Sequence, residues 1–84
     1  MKIKPSLAIS DTGFVFDPET GDSFSLNPVG SEMLKLLKDE FSVNDIKKHI
    51  LRKYQTDDAT VEKDLLDFIN MLRQFQLNAA EDEN

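Results

Sequence analysis

The 84-residue chain has no cysteine and no tryptophan, and only three glycines, three prolines and one histidine. Without cysteine, neither disulfides nor thiolate metal ligands hold the fold, and nucleophilic chemistry of the Cys–His type is excluded. No apolar run exceeds three residues, far short of a membrane-spanning helix, and the N-terminus lacks the apolar stretch of a signal peptide. The pattern therefore predicts a cytoplasmic protein away from membranes. Basic residues are also scarce: 10 against 16 acidic ones, for a net charge of -6. Such a field repels phosphate backbones and favours partners with basic surface, which argues against nucleic acid. A chain this short buries roughly 60–65% of its unfolded surface, enough for one modest core and no roomy catalytic cavity. A single domain over residues 1–78 is expected, followed by an acidic, disordered tail at 79–84.

What is present is organised around residues 22–37. Asp22 to Leu26 alternates, with Phe24 and Leu26 on one side and Ser23 and Ser25 on the other, the period of a half-buried strand. Asn27 then suits a helix N-cap and Pro28 the first helical position, where no amide hydrogen is needed. From Val29 the period becomes helical, through Val29, Met33, Leu36 and Leu37. A strand thus runs into a helix with no loop between.

Upstream, Met1 to Pro5 reads as a frayed basic lead-in. Ser6–Ser10 and Phe14–Phe16 read as two further strands, separated by Asp11-Thr12-Gly13 and followed by the turn Asp17-Pro18-Glu19-Thr20-Gly21. Tight turns between short strands predict an antiparallel meander. Downstream, a helix over Pro28 to Lys38 is followed by a second that Ser42 caps, with Asp45 in its first turn and Val43, Ile46, Ile50 and Tyr54 as its stripe. A third helix, capped by Asp57 or Asp58, carries Val61, Leu65, Phe68, Leu72 and Phe75, with Met71 and Leu66 spilling over opposite flanks. The expected fold is α+β: a three-stranded antiparallel sheet followed by three helices, winged-helix-like.

Candidate chemistry is sparse. His49 has no carboxylate three or four residues on to complete a metal pair, so a surface position is expected. Ser31 and Ser42 fit helix starts. Glu62, Asp64 and Asp67 share the third helix; Asp64 and Asp67 either share one space or form a solvated face near the helix N-terminus. The three glycines form no phosphate loop. Gly30, inside a helix, costs about 1 kcal/mol relative to alanine and suggests a close approach by a neighbouring element. The second and third helices permit a helix-turn-helix, yet the third opens with Asp58, Glu62, Asp64 and Asp67 where DNA reading needs arginine, lysine, asparagine or glutamine. An apolar shoulder beside an edge strand is the more useful pattern: free amides and carbonyls accept an added strand, and methionine suits adaptable peptide contacts.

Leu26-Asn27-Pro28-Val29-Gly30, then Met33, Leu36-Leu37, Ile46, Tyr54, Asp64, Phe68-Ile69 and Leu72, resemble the PqqD family from about Pro5 to Leu77. Two positions depart: Leu34 stands where many members carry tryptophan, and Gln76 where a glycine usually ends the third helix, which suggests a branch outside pyrroloquinoline quinone synthesis itself. The resemblance implies a non-enzymatic peptide chaperone without cofactor, a recognition element for ribosomally made and modified peptides. It implies that the leader of a precursor peptide binds as an extra strand between third strand and third helix, through Ser23, Phe24, Ser25 and Leu26 on one side and Asp64, Asp67, Phe68 and Met71 on the other. The leader is then presented to a modifying enzyme, often a radical S-adenosylmethionine (radical SAM) enzyme; one branch accompanies proteins related to the HPr kinase. The alternatives are a winged-helix DNA-binding regulator and a scaffold subunit docked on an enzyme without a peptide. The chain is expected to be a monomer or a weak homodimer.

Overall fold

The computed structural model describes residues 2–78; the expected acidic tail lies outside them. Three strands, β1 (Ala8–Ile9), β2 (Phe14–Phe16) and β3 (Ser23–Ser25), form an antiparallel sheet in the order β1-β2-β3. Three helices follow: α1 (Pro28–Lys38), α2 (Val43–Tyr54) and α3 (Asp58–Gln74). α1 packs on α2 and α2 on α3. The α+β order is the one the periodicities predict.

The register Phe14↔Ser25, Val15↔Phe24 and Phe16↔Ser23, with Ile9↔Val15 beyond it, sorts the sheet into two faces. Val15, Ile9 and Phe24 face the helices, with Val15 fully buried, whereas Phe14, Phe16, Ser23 and Ser25 face solvent. Ladder bonds run past the ends of β3, from the Asp17 amide to the Asp22 carbonyl (2.9 Å) and from the Leu26 amide to the Gly13 carbonyl (2.8 Å). Gly13 has φ +90°, and an added Cβ would lie 2.5 Å from the Leu26 carbonyl oxygen. Only glycine serves there.

The first strand is shorter than the alternation predicts. Pro5 and Ser6 form a turn closed by the Leu7 amide on the Lys4 carbonyl (3.2 Å), so pairing starts at Ala8. Nor is residue 3 frayed. Ile3 is buried and bridges to Asn78, while the Lys4 amide donates to the Leu77 carbonyl at 3.0 Å, which ties the start of the described chain to its end. The Lys4 side chain continues inward to Asp17, a fully buried carboxylate, at 3.0 Å. Asp17 also accepts the Glu19 amide (3.0 Å), so one side chain both fixes the β2–β3 turn and receives the lead-in. A buried carboxylate is tolerable only when paired and hydrogen-bonded in this way.

The helix caps match expectation at two of three starts. Asn27 Oδ1 accepts the Gly30 amide at 2.7 Å and Ser42 Oγ the Asp45 amide at 3.1 Å, whereas Asp57 occupies the N-cap of α3 without a side-chain bond. All three stripes need correction. Leu34, absent from the predicted face of α1, is fully buried, because α1 packs on α2 while Lys38 Nζ at its end reaches the Leu7 carbonyl on the strand side, and so buries a wider arc. On α3 the buried line is Val61, Leu65, Ile69 and Leu72, while Phe68 is half-buried and Phe75 is exposed. Spacings of four keep Ile69 over the core and displace the two phenylalanines to a flank. Val43, predicted on the α2 stripe, is exposed at the helix start.

Each helix ends on a non-glycine residue at positive φ: Glu40 (67°), Gln55 (52°) and Gln76 (57°). α3 closes with a Schellman pair, the Gln76 amide on the Arg73 carbonyl (3.1 Å) and the Leu77 amide on the Leu72 carbonyl (2.9 Å), with Leu72 and Leu77 both buried. Gln76→Gly relieves this left-handed strain and is expected to raise stability in urea unfolding by about 1 kcal/mol; an unchanged or lower midpoint would show that the cap is not strained.

The bond from Lys4 is the main cause holding the Asp17 carboxyl below its ordinary value of 3.8. A depressed carboxyl stabilises the fold above its unfolded value, and that contribution is lost as pH falls through the folded one. Urea midpoints measured below pH 3.8 are therefore expected to fall more steeply for the wild type than for Asp17→Asn.

Candidate functional site

β3 is the free edge of the sheet. In its antiparallel ladder, the bonds at Asp22 and Leu26 place the Phe24 amide and carbonyl toward β2 as well. The amides and carbonyls of Ser23 and Ser25 consequently point away from the sheet, unpaired with any strand, while the side chains of Phe24 and Leu26 point to the helical layer. The Phe24 ring lies tilted on Phe75, with centroids 5.1 Å apart.

Beside this edge a cleft of about 420 Å³ opens between α3 and the start of α1. Its α3 wall is Asp64, Asp67, Phe68 and Met71; the opposite wall is Asn27, Val29, Gly30 and Met33. Gly30 and Phe68 meet at its base, with Leu26 at its mouth: a Cβ on Gly30 would lie 3.5 Å from the Phe68 ring and 3.6 Å from Leu26 Cβ. The same Cβ would press Asn27 Oδ1 at 3.2 Å, so Gly30 serves the cap and the cleft together.

The four predicted α3 residues therefore come together in one cleft, on the Met71 flank of the helix. Leu66 lies on the other flank, with Val43. Ser23, Phe24, Ser25 and Leu26 do not line the cleft; they form the edge and the inner face leading to it. Sequence reasoning missed Asn27, Val29, Gly30, Met33 and Phe75 as site residues. Helical period placed Val29 and Met33 on a buried face, and the strand-to-helix junction was the signal that brings them beside α3.

Charge in the cleft is of one sign: among the described residues, Asp64 and Asp67 are its only ionisable lining residues. Asp67 accepts an ion pair from Lys63 at 3.0 Å. Asp64 forms no ion pair among the described residues; it adds a weaker pull to the Lys63 proton, whose affinity is raised chiefly by the bond to Asp67.

The other candidates are structural in placement. His49 Nε2 lies 2.8 Å from Glu32 Oε2 and Lys53 Nζ 3.2 Å from Glu32 Oε1, so an acid on α1 supplies the partner that α2 lacks. Ser42 caps α2, but Ser31 caps nothing: it sits one turn inside α1, its hydroxyl buried without a partner among the described residues. Among those residues no three histidine or acidic side chains gather into a metal site.

The family model for Coenzyme PQQ synthesis protein D (PqqD) matches residues 13–77. The chain belongs to the PqqD family. Among solved structures, it is similar at 31% identity and TM-score 0.84 to the structure titled TbiB1 in complex with the TbiA(beta) leader peptide, over 99% of this chain and 100% of that one. Lasso peptide synthetase B1 complexed with the leader peptide shares the fold, at 18% identity and TM-score 0.79 over 93% of this chain and 95% of that one. Comparison with curated proteins gives no match. At the two positions where the sequence departs from the family resemblance, Leu34 fills the core and Gln76 takes the left-handed conformation.

The bond to His49, followed by that to Lys53, holds the Glu32 carboxyl below its ordinary value of 4.5. The tie between α1 and α2 is thus present above pH 4.5 and lost as pH falls through the lower folded value. A Glu32→Gln variant is expected to lose stability relative to wild type at neutral pH and to converge with it in acid, followed by thermal unfolding across the pH range; a constant gap would show that the pair contributes nothing through charge.

Proposed function

We propose that this chain is a non-catalytic recognition element that binds the leader of a ribosomally made precursor peptide by strand addition and presents it to a modifying enzyme. The observation that carries the reading is the free β3 edge, with Ser23 and Ser25 turned outward, running beside an apolar cleft on α3. An added strand gains register from backbone bonds and selectivity from side chains entering the cleft. The similarity to TbiB1, solved in complex with a leader peptide, supports leader-peptide binding here. Nothing in the cleft pairs a nucleophile with a base, which favours binding over catalysis.

The modifying enzyme is of the radical SAM type or related to the HPr kinase, as the family resemblance implies. DNA binding is disfavoured by the acids that open α3, Asp58, Glu62, Asp64 and Asp67. Among the described residues, no helix is long and apolar enough to cross a membrane.

A nitrogen–proton NMR titration with the leader encoded beside this protein tests the reading. Shifts are expected at Ser23 to Leu26 and along Asp64 to Met71. Met71→Asp, at a half-buried position on the cleft wall, is expected to weaken binding about tenfold, the size of one lost apolar contact. A leader that leaves the β3 amides unmoved sinks the proposal and turns attention to a scaffold that docks on its enzyme without peptide.

A further inference from the structure

The register of β3 fixes which side chains of an added strand reach the cleft. Residues opposite Ser23 and Ser25 exchange backbone bonds and send their side chains to the solvent face. Residues opposite Phe24 and Leu26, two apart in the incoming peptide, send theirs to the helical layer. The first meets the Phe24–Phe75 ring pair. The second stands over Leu26 at the mouth of the cleft, whose base is Gly30 and Phe68.

That cleft has two chemistries. Met33, Phe68 and Met71 give it apolar walls, and its ionisable groups are both carboxylates. Asp67 is already paired with Lys63, whereas Asp64 has no ion-pair partner among the described residues. A short apolar side chain would leave the carboxylates unused, and an acidic one would be repelled. A lysine or arginine fits both parts, its aliphatic stem against Met71 and Phe68 and its cationic head at Asp64. The net charge of -6 draws the same class of peptide.

We infer that the cleft between α1 and α3 is a specificity pocket for a basic leader residue, with Asp64 as its acceptor, two positions from an apolar residue seated on Phe24 and Phe75. This rests on the strand-addition reading and names the peptide class that the edge selects.

The test is selection of a display library of short random peptides on the full chain, repeated on Asp64→Lys, with bound peptides mapped by amide shifts. Circular dichroism first establishes that the variant, altered at an exposed position, is folded. Wild type is expected to enrich lysine or arginine two residues from an apolar side chain. Replacing that cation by alanine weakens binding about fivefold, as for a partly exposed ion pair, and the gap narrows as salt is raised. Asp64→Lys is expected to lose the basic preference and favour an acidic or neutral residue there. Selected peptides that shift Ser23 to Ser25 but show no basic preference, or the same preference on both proteins, overturn the pocket and leave strand addition standing. Selected peptides that never shift β3 overturn both.

Discussion

The point where β3 becomes α1 holds the sheet and helices in one frame. Leu26 still donates to the sheet through Gly13, and one residue later Asn27 accepts Gly30 with its side chain and Ser31 with its carbonyl. No residue lies between the last ladder bond and the first helical turn, so the angle between edge strand and helix has little freedom. Gly13 is required there by the Leu26 carbonyl, whereas a Cβ on Gly30 would crowd the Asn27 cap and meet the ring of Phe68 at ordinary contact distance. A side chain at Gly30 would meet Phe68 across the cleft base, so glycine there leaves the base open between the start of α1 and α3.

The same frame treats the two edges of the sheet differently. β1 is two residues long, follows the Pro5 turn, and lies beside a lead-in sewn to Leu77 and Asn78. That edge is blunted in the manner of proteins that avoid edge-to-edge association. β3 carries no proline or charged side chain within its three residues, and serine on its solvent face leaves its backbone accessible. An unprotected edge is a liability, and here it borders the cleft.

Much of this was legible in the sequence. Alternation at 22–26, the Asn-Pro junction and the Ser42 cap each follow from local chemistry, which explains why α1 appears with the bounds the pattern predicts. Four cleft residues, Asp64, Asp67, Phe68 and Met71, come from the family resemblance, and helical spacing by itself marks only Met71 as an apolar flank. What was not legible depends on contacts between distant segments. Asp17 reads as a turn residue until Lys4 is brought to it, and His49 reads as unpartnered until α1 places Glu32 beside it. Ile69 faces the core and Phe68 the cleft because of how α3 packs on α2, and no period in α3 by itself separates those neighbours. Gln76 is the converse: its sequence disfavours a left-handed cap, and burial of Leu72 and Leu77 imposes one.

How affinity divides between edge and cleft follows from magnitudes. Ser23 and Ser25 offer two amides and two carbonyls, each bond worth about 0.5–1.5 kcal/mol net once water is displaced. Bringing a peptide to the edge costs about 4–15 kcal/mol in lost freedom before any ordering of its chain. The backbone bonds alone therefore leave a strand unbound or barely bound, whatever its sequence, and this protects so short an edge from indiscriminate pairing. Binding requires side chains that bury apolar area against Phe24, Phe75 and the cleft, at about 25 cal/mol per Å². Selectivity is then a consequence of weakness: an edge too short to hold any strand holds only those whose alternate side chains fit the helical layer, and the junction at Leu26 to Gly30 sets where that fit is made.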